Sequence, residues 1–87
     1  MSLRALREIY LRAFEVAIRA PNPPWAVMTA YNRVNGLHAS ENDFLLNGVL
    51  RTEWAWKGLV MSDWFGVYSS AEAIRAGLDL EMPVREF

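Results

Sequence analysis

The sequence predicts an α/β chain, an expectation that rests on three observations. Two apolar runs, residues 25–30 and 58–62, have strand length but no alternation, as strands buried on both faces do. Segments with helical periodicity stand before, between and after them. Cap residues or helix breakers mark the joints. The predicted order is helix, strand, helix, strand, helix, short strand. Strands alternating with helices at these spacings imply parallel strands joined by right-handed crossovers, as in a doubly wound sheet or a (β/α)8 barrel.

The first helix is predicted from Ser2 to Ala20, where Leu3, Leu6, Tyr10, Ala13, Phe14, Ala17 and Ile18 recur at helical spacing. Ser2 suits its N-cap. Glu8 with Arg12 and Glu15 with Arg19 are four-residue pairs in the favourable order, each contributing about 0.2–0.5 kcal/mol. Interleaved acids argue against a membrane-binding or calmodulin-binding helix, so its charged side is read as a solvated outer face. Pro21-Asn22-Pro23-Pro24 ends it, since proline lacks the amide donor and disfavours helix in the residue before it.

Trp25 to Ala30 is the first strand. Asn35-Gly36 is a turn signal able to close a hairpin, but no alternating strand follows it, and a long loop is expected from Tyr31 to Ala39. Ser40-Glu41-Asn42-Asp43 is a variant capping box opening a helix from about Glu41 to Trp54, with Phe44, Leu45, Val49, Leu50 and Trp54 on its buried side. Gly58 to Ser62 is the second strand. A second serine-to-acid cap, Ser69-Ser70-Ala71-Glu72, starts a short helix from Ala71 to Ala76 closed by Gly77, and a brief strand follows over residues 78–83.

At 87 residues the chain makes at most one small domain with a thin core, yet 53% of it is hydrophobic and four residues are tryptophan. Such richness suggests surfaces meant for other parts of a larger protein. A net charge of -1 supplies no basic field for nucleic acid. Charges every few positions near the start exclude a secretory signal or membrane span there. With no cysteine there is no disulfide framework and no thiolate zinc site or nucleophile. Nothing implies a cofactor or metal. His38, the single histidine, has no second ligand nearby and is read as a solvated loop residue. Trp25, Trp54 and Trp56 are read as packing residues, and Met61 as core. Arg33 is left between a substrate and Glu41.

If both main strands point the same way, Tyr31 with Asn32, Asp63 with Trp64, and Glu81 emerge on one face although distant in sequence. Ligands of parallel α/β folds bind at that end of the strands. The rival reading is that Asp63 caps the following turn. An indole beside a carboxylate suits a sugar, whose C–H face stacks on the ring while its hydroxyls bond to acids and amides. Glycoside hydrolysis needs two carboxyl groups, and on the residues alone Asp63 and Glu81 are the candidate pair.

Four blocks then carry a family resemblance: residues 26–36 (AVMTAYNRVNG), 39–42 (ASEN), 58–64 (GLVMSDW) and 76–83 (AGLDLEMP). In this order and at these separations the chain resembles the glycoside hydrolase family 3 β-glucosidases of fungi and bacteria. The resemblance implies that residues 1–87 are a fragment of the family's N-terminal (β/α)8-like catalytic domain. It implies that Asp63 is the nucleophile of a retaining mechanism, forming a covalent glycosyl-enzyme. Trp64 would shape the sugar site, Tyr31 would sit beside the nucleophile, and Met28 would line the same pocket. The substrate implied is a β-glucoside or oligosaccharide.

By the same resemblance, the acid/base glutamate belongs to a downstream domain. Glu81 does not match it, and the resemblance leaves Glu81 and Asp79 as structural residues. Departures are equally informative. The family's upstream sugar-binding blocks, including a Lys-His pair, are missing. Ala55 stands where glycine is common, and Val84-Arg85-Glu86-Phe87 replaces a glycine and proline stretch. The expectation is therefore a fragment, such as a truncated reading frame would give, that is inactive without the rest of the barrel and the acid/base domain. The alternative is a non-catalytic interaction or carbohydrate-binding remnant of the same fold.

Overall fold

The computed structural model describes residues 1–83. Helix α1, residues 3–18, is built in three pieces: α-helical Leu3–Ala5, a wide turn over Leu6–Tyr10, and α-helical Arg12–Ile18. Ser2 caps it as expected, its hydroxyl oxygen accepting the Ala5 N–H at 3.1 Å. At the wide turn the Leu11 N–H reaches back five residues to the Leu6 carbonyl, at 2.8 Å. One extra residue per turn rotates everything beyond it. Leu6 and Ile18 are buried and Leu11 half-buried, whereas Tyr10 and Phe14 of the expected stripe stay exposed. The pairing changes with the phase. Glu8 takes Arg4 instead of Arg12, while Glu15 accepts from both Arg12 and Arg19.

Strands β1 (Ala26–Thr29) and β4 (Leu59–Ser62) are parallel neighbours, with Ala26 opposite Leu59 and Thr29 opposite Ser62. Between them the expected loop is in fact a small hairpin, β2 (Arg33–Val34) and β3 (Leu37–His38). Asn35 and Gly36 both take positive φ, 50° and 96°, the geometry of a tight hairpin turn. Two-residue strands are too short to alternate, so only the turn was visible in the sequence.

Helix α2, Phe44–Glu53, is wound throughout with the wider five-residue spacing. It begins later than the capping box predicts, because Ala39–Glu41 form a separate tight turn and Ser40 is diverted. Buried Ser40 donates its hydroxyl to the Gly66 carbonyl, and Asn42 does the capping, accepting the Leu45 N–H at 3.2 Å. Helix α3, Ala71–Ala76, ends as predicted on Gly77 at φ 116°. No side-chain cap bond is made by its N-cap residue, Ser70. The predicted final strand is reduced to one parallel bridge between Leu80 and Met61.

The core lies where α2 and α3 cover β4: Leu46, Val49, Val60, Trp56, Ala73 and Ala76 are all buried together. Arg7 of α1 makes a two-pronged ion pair with Glu53 of α2. Arg51 holds the strand entry. Its Nη1 donates to the Gly58 carbonyl at 2.6 Å and to the Trp56 carbonyl at 3.2 Å, and its Nη2 donates to Asp79 at 2.7 Å. Asp79 in turn accepts the Val60 N–H at 2.9 Å, so it is a structural residue. Trp54 and Trp56 pack as predicted, but Trp25 does not: it is 91% exposed. Its chain is pinned from elsewhere, through Trp56 Nε1 to the Pro24 carbonyl and Leu59 N–H to its own carbonyl. Met61 is half-buried rather than fully enclosed. Among the described residues no helix is long and apolar enough to cross a membrane.

Candidate active site

Parallel β1 and β4 end level with one another, so the residues just beyond them leave the sheet side by side. The Asp63 N–H still donates to the Thr29 carbonyl, at 3.2 Å, extending the ladder by one rung beyond Ser62. This fixes the backbone from which the Asp63 side chain departs. The chain then folds into a tight turn. Gly66 N–H returns to the Asp63 carbonyl at 2.8 Å, and Phe65 adopts φ 59°, a left-handed conformation uncommon for an aromatic residue. A Cβ on Gly66 would stand 3.0 Å from the Asp63 carbonyl oxygen, which explains the glycine. Two anchors hold the turn, Phe65 N–H to the Met82 carbonyl at 2.9 Å and Ser40 to the Gly66 carbonyl.

Asp63 is half-buried, and one of its oxygens accepts the Trp64 N–H at 2.7 Å. The turn-capping reading is thus realised in the same residue that occupies the strand end. Tyr31, from just beyond β1, reaches across and donates its phenol to the Trp64 carbonyl at 2.7 Å. Desolvation and the adjacent Asp63 carboxylate hold the Tyr31 phenol above its ordinary pKa. It therefore stays a neutral donor beside a negative charge. Trp64 presents half of its surface to solvent, as do Tyr31 and Met28. Trp64 and Tyr31 are joined through the hydrogen bond. Met28 lies on β1 along an apolar groove of about 430 Å³ between α1, β1 and α2, a groove that also takes in Tyr10, Phe14 and Asn32.

Glu81 emerges at the same end as Asp63, following Leu80, whose carbonyl accepts the Ser62 N–H at 2.9 Å. It is half-buried and engaged in its own interactions. Two residues that the sequence left as bystanders belong to the neighbourhood. His38 is not a solvated loop residue: it lies half-buried on β3, its ring stacked on Tyr68 with centroids 3.7 Å apart. Arg33 turns to His38 and not to Glu41, its Nε donating to His38 Nε2 at 3.3 Å. Glu41 accepts from Ser69 instead. No signal in the sequence could reveal the stack, because His38 and Tyr68 meet only when the hairpin folds against the loop after β4. Among the described residues no group of three or more metal-binding side chains converges.

The family model described as glycosyl hydrolase family 3 N terminal domain matches residues 1–87. The chain belongs to glycosyl hydrolase family 3. This family 3 segment is 70% identical over 80 residues to beta-glucosidase B of Emericella nidulans, an alignment covering 92% of the chain and 9% of that protein. It is 65% identical over 83 residues to "Probable beta-glucosidase K" of Aspergillus fumigatus, covering 95% and 11% respectively. Among solved structures, the family 3 β-glucosidase of Bifidobacterium adolescentis superposes with a TM-score of 0.91 at 49% identity, over 97% of this chain and 12% of that one. The β-glucosidase 3B of Thermotoga neapolitana in complex with glucose gives 0.89 at 54% identity, over 94% and 11%. The chain thus spans about a tenth of the length of the curated relatives it matches.

Proposed function

We propose that the chain is the nucleophile-bearing part of a retaining β-glucosidase, drawn from the N-terminal (β/α)8-like barrel of family 3. The observation that carries the reading is Asp63: a carboxylate at the carboxyl end of a parallel strand buried on one face, beside the neutral Tyr31 phenol and the half-exposed Trp64 indole. That is where substrates meet parallel α/β folds, and an indole next to an acid suits a pyranose. In this mechanism Asp63 attacks the anomeric carbon and displaces the aglycone. The covalent glycosyl-enzyme is then hydrolysed with retention of configuration. Trp64 stacks the sugar, Tyr31 keeps the Asp63 turn in place, and Met28 borders the pocket. The acid/base that protonates the leaving group comes from outside these residues, so Glu81 has no part in the chemistry.

Without that proton donor and the rest of the barrel, the positioning and proton transfer that make the reaction fast are missing. The purified chain is therefore expected to leave an aryl β-glucoside intact. Turnover that Asp63→Asn abolishes would refute this incompetence. The nucleophile role is tested in full-length beta-glucosidase B carrying these residues in place of its own matched region. There Asp63→Asn should lower kcat on the order of 10³–10⁴-fold, and an unchanged kcat would sink the assignment. A second reading, a non-catalytic binding remnant, draws on the exposed Trp25 and the open apolar groove. It predicts a chain that melts cooperatively and has no affinity for gluconolactone.

A further inference from the structure

We propose that His38 is a positioning residue: a neutral imidazole, protonated on Nδ1, that locks the Tyr31 main chain and through it the Asp63–Trp64 end of β4. The proposal rests on the reading of Asp63 as nucleophile for its catalytic consequence, but not for its geometry. Both ring nitrogens of His38 are engaged. Nε2 faces the Arg33 Nε–H at 3.3 Å, and an arginine guanidinium has only donors to offer, so Nε2 must be the acceptor. The proton of the neutral ring then sits on Nδ1, where it is donated to the Tyr31 carbonyl at 2.9 Å. The neighbouring donor therefore dictates the tautomer.

The ring is fixed in a third direction by Tyr68, stacked at 3.7 Å with 20° between the planes. His38 thus ties three places together: strand β2 through Arg33, the chain just beyond β1 through Tyr31, and the loop beyond the Asp63 turn through Tyr68. Tyr31 is the link to the site. Its carbonyl is held by His38 and its phenol by the Trp64 carbonyl, at 2.7 Å, so the whole residue is clamped between hairpin and strand end. Loss of the Nδ1 donor frees the Tyr31 backbone, and the turn bearing Asp63 loses its cross-strand brace.

Side-chain geometry supplies a test that separates positioning from mere packing. Asparagine places an amide nitrogen where Nδ1 stands, whereas phenylalanine keeps the stack on Tyr68 and loses both hydrogen bonds. In the exchanged full-length enzyme, His38→Phe should lower kcat about tenfold or more with KM within about twofold, since small misplacements at a reacting centre are felt in the chemical step. His38→Asn should recover most of that loss. An unchanged kcat in His38→Phe, or a His38→Asn no better than His38→Phe at equal folded fraction, overturns the proposal. Asp63→Asn in the same enzyme keeps the two readings apart, because activity surviving it refutes the nucleophile and leaves the His38 geometry standing. That geometry has its own check in the same enzyme, where the His38 ring signals are those that His38→Phe removes. Two-bond nitrogen–proton correlations of the ring should give the Nδ1-protonated pattern. A ring protonated on Nε2 refutes the proposal whatever the kinetics.

Discussion

Tyr31 shows how one side chain can be set by two strands. Its phenol is held protonated by desolvation and by the neighbouring Asp63 carboxylate, which favours the neutral form. The consequence for stability has a definite sign. A folded-state pKa raised above the model-peptide value of 10.0 means the contribution is fully present below pH 10 and is lost as pH rises through the folded value. Unfolding midpoints in urea should therefore fall as pH rises above 10, and Tyr31→Phe should flatten that limb; an identical alkaline decline in both would refute the coupling. Asp63 was legible in the sequence because a continuous apolar run ending on an acid needs no knowledge of distant partners. His38 was not. Its contacts, Tyr31, Arg33 and Tyr68, include one thirty residues away, and a lone histidine after a turn looks the same whether solvated or stacked.

Among the elements, β4 depends most on one side chain. Arg51 reaches from α2 to two carbonyls at the strand entry and to Asp79, which holds the Val60 N–H, and its guanidinium lies 5.1 Å from the Trp56 ring. Arg51→Met keeps the stem but strands these acceptors, and should cost about 2–3 kcal/mol in denaturant unfolding. Lysine should not rescue it, since a point charge cannot serve three acceptors in a planar fork. A cost below about 0.5 kcal/mol would show that the fork is ornamental. Gly58 belongs to the same joint: a Cβ there would fall 2.1 Å from the Trp56 ring. Sequence pattern located β1 and β4 through unbroken apolar runs, and α2 and α3 through their caps and apolar spacing. What it could not locate were the wide turns of α1 and α2, where an added residue per turn shifts the phase, and the β2–β3 hairpin, whose strands are too short to alternate. The capping box misled for a separate reason: Ser40 donates its hydroxyl to the Gly66 carbonyl instead of accepting an N–H of its own helix.

The assembled chain leaves much apolar surface uncovered. Tyr10, Phe14 and Met28 line the open groove beside β1, and Trp25 stands out at the other end of that strand. An open apolar groove of this kind marks a surface that meets other protein or a ligand. The purified chain should enhance the fluorescence of a hydrophobic dye and scatter light increasingly at micromolar concentration, and Phe14→Glu should reduce both; a dye-silent, monomeric chain would contradict the exposure described here. This openness agrees with a segment spanning about a tenth of its relatives. It also matches a composition rich in apolar residues and tryptophan. The parallel β1–β4 pair carries one more consequence, for synthesis. Ala26 waits for Leu59, 33 residues later (59 − 26 = 33), before its ladder can form. At ribosomal rates of about 5–20 residues per second this is a delay of about 2–7 s. Through those seconds the Val27 and Met28 of a nascent chain lack their β4 partners, Val60 and Met61, and that strand edge stays open to a chaperone.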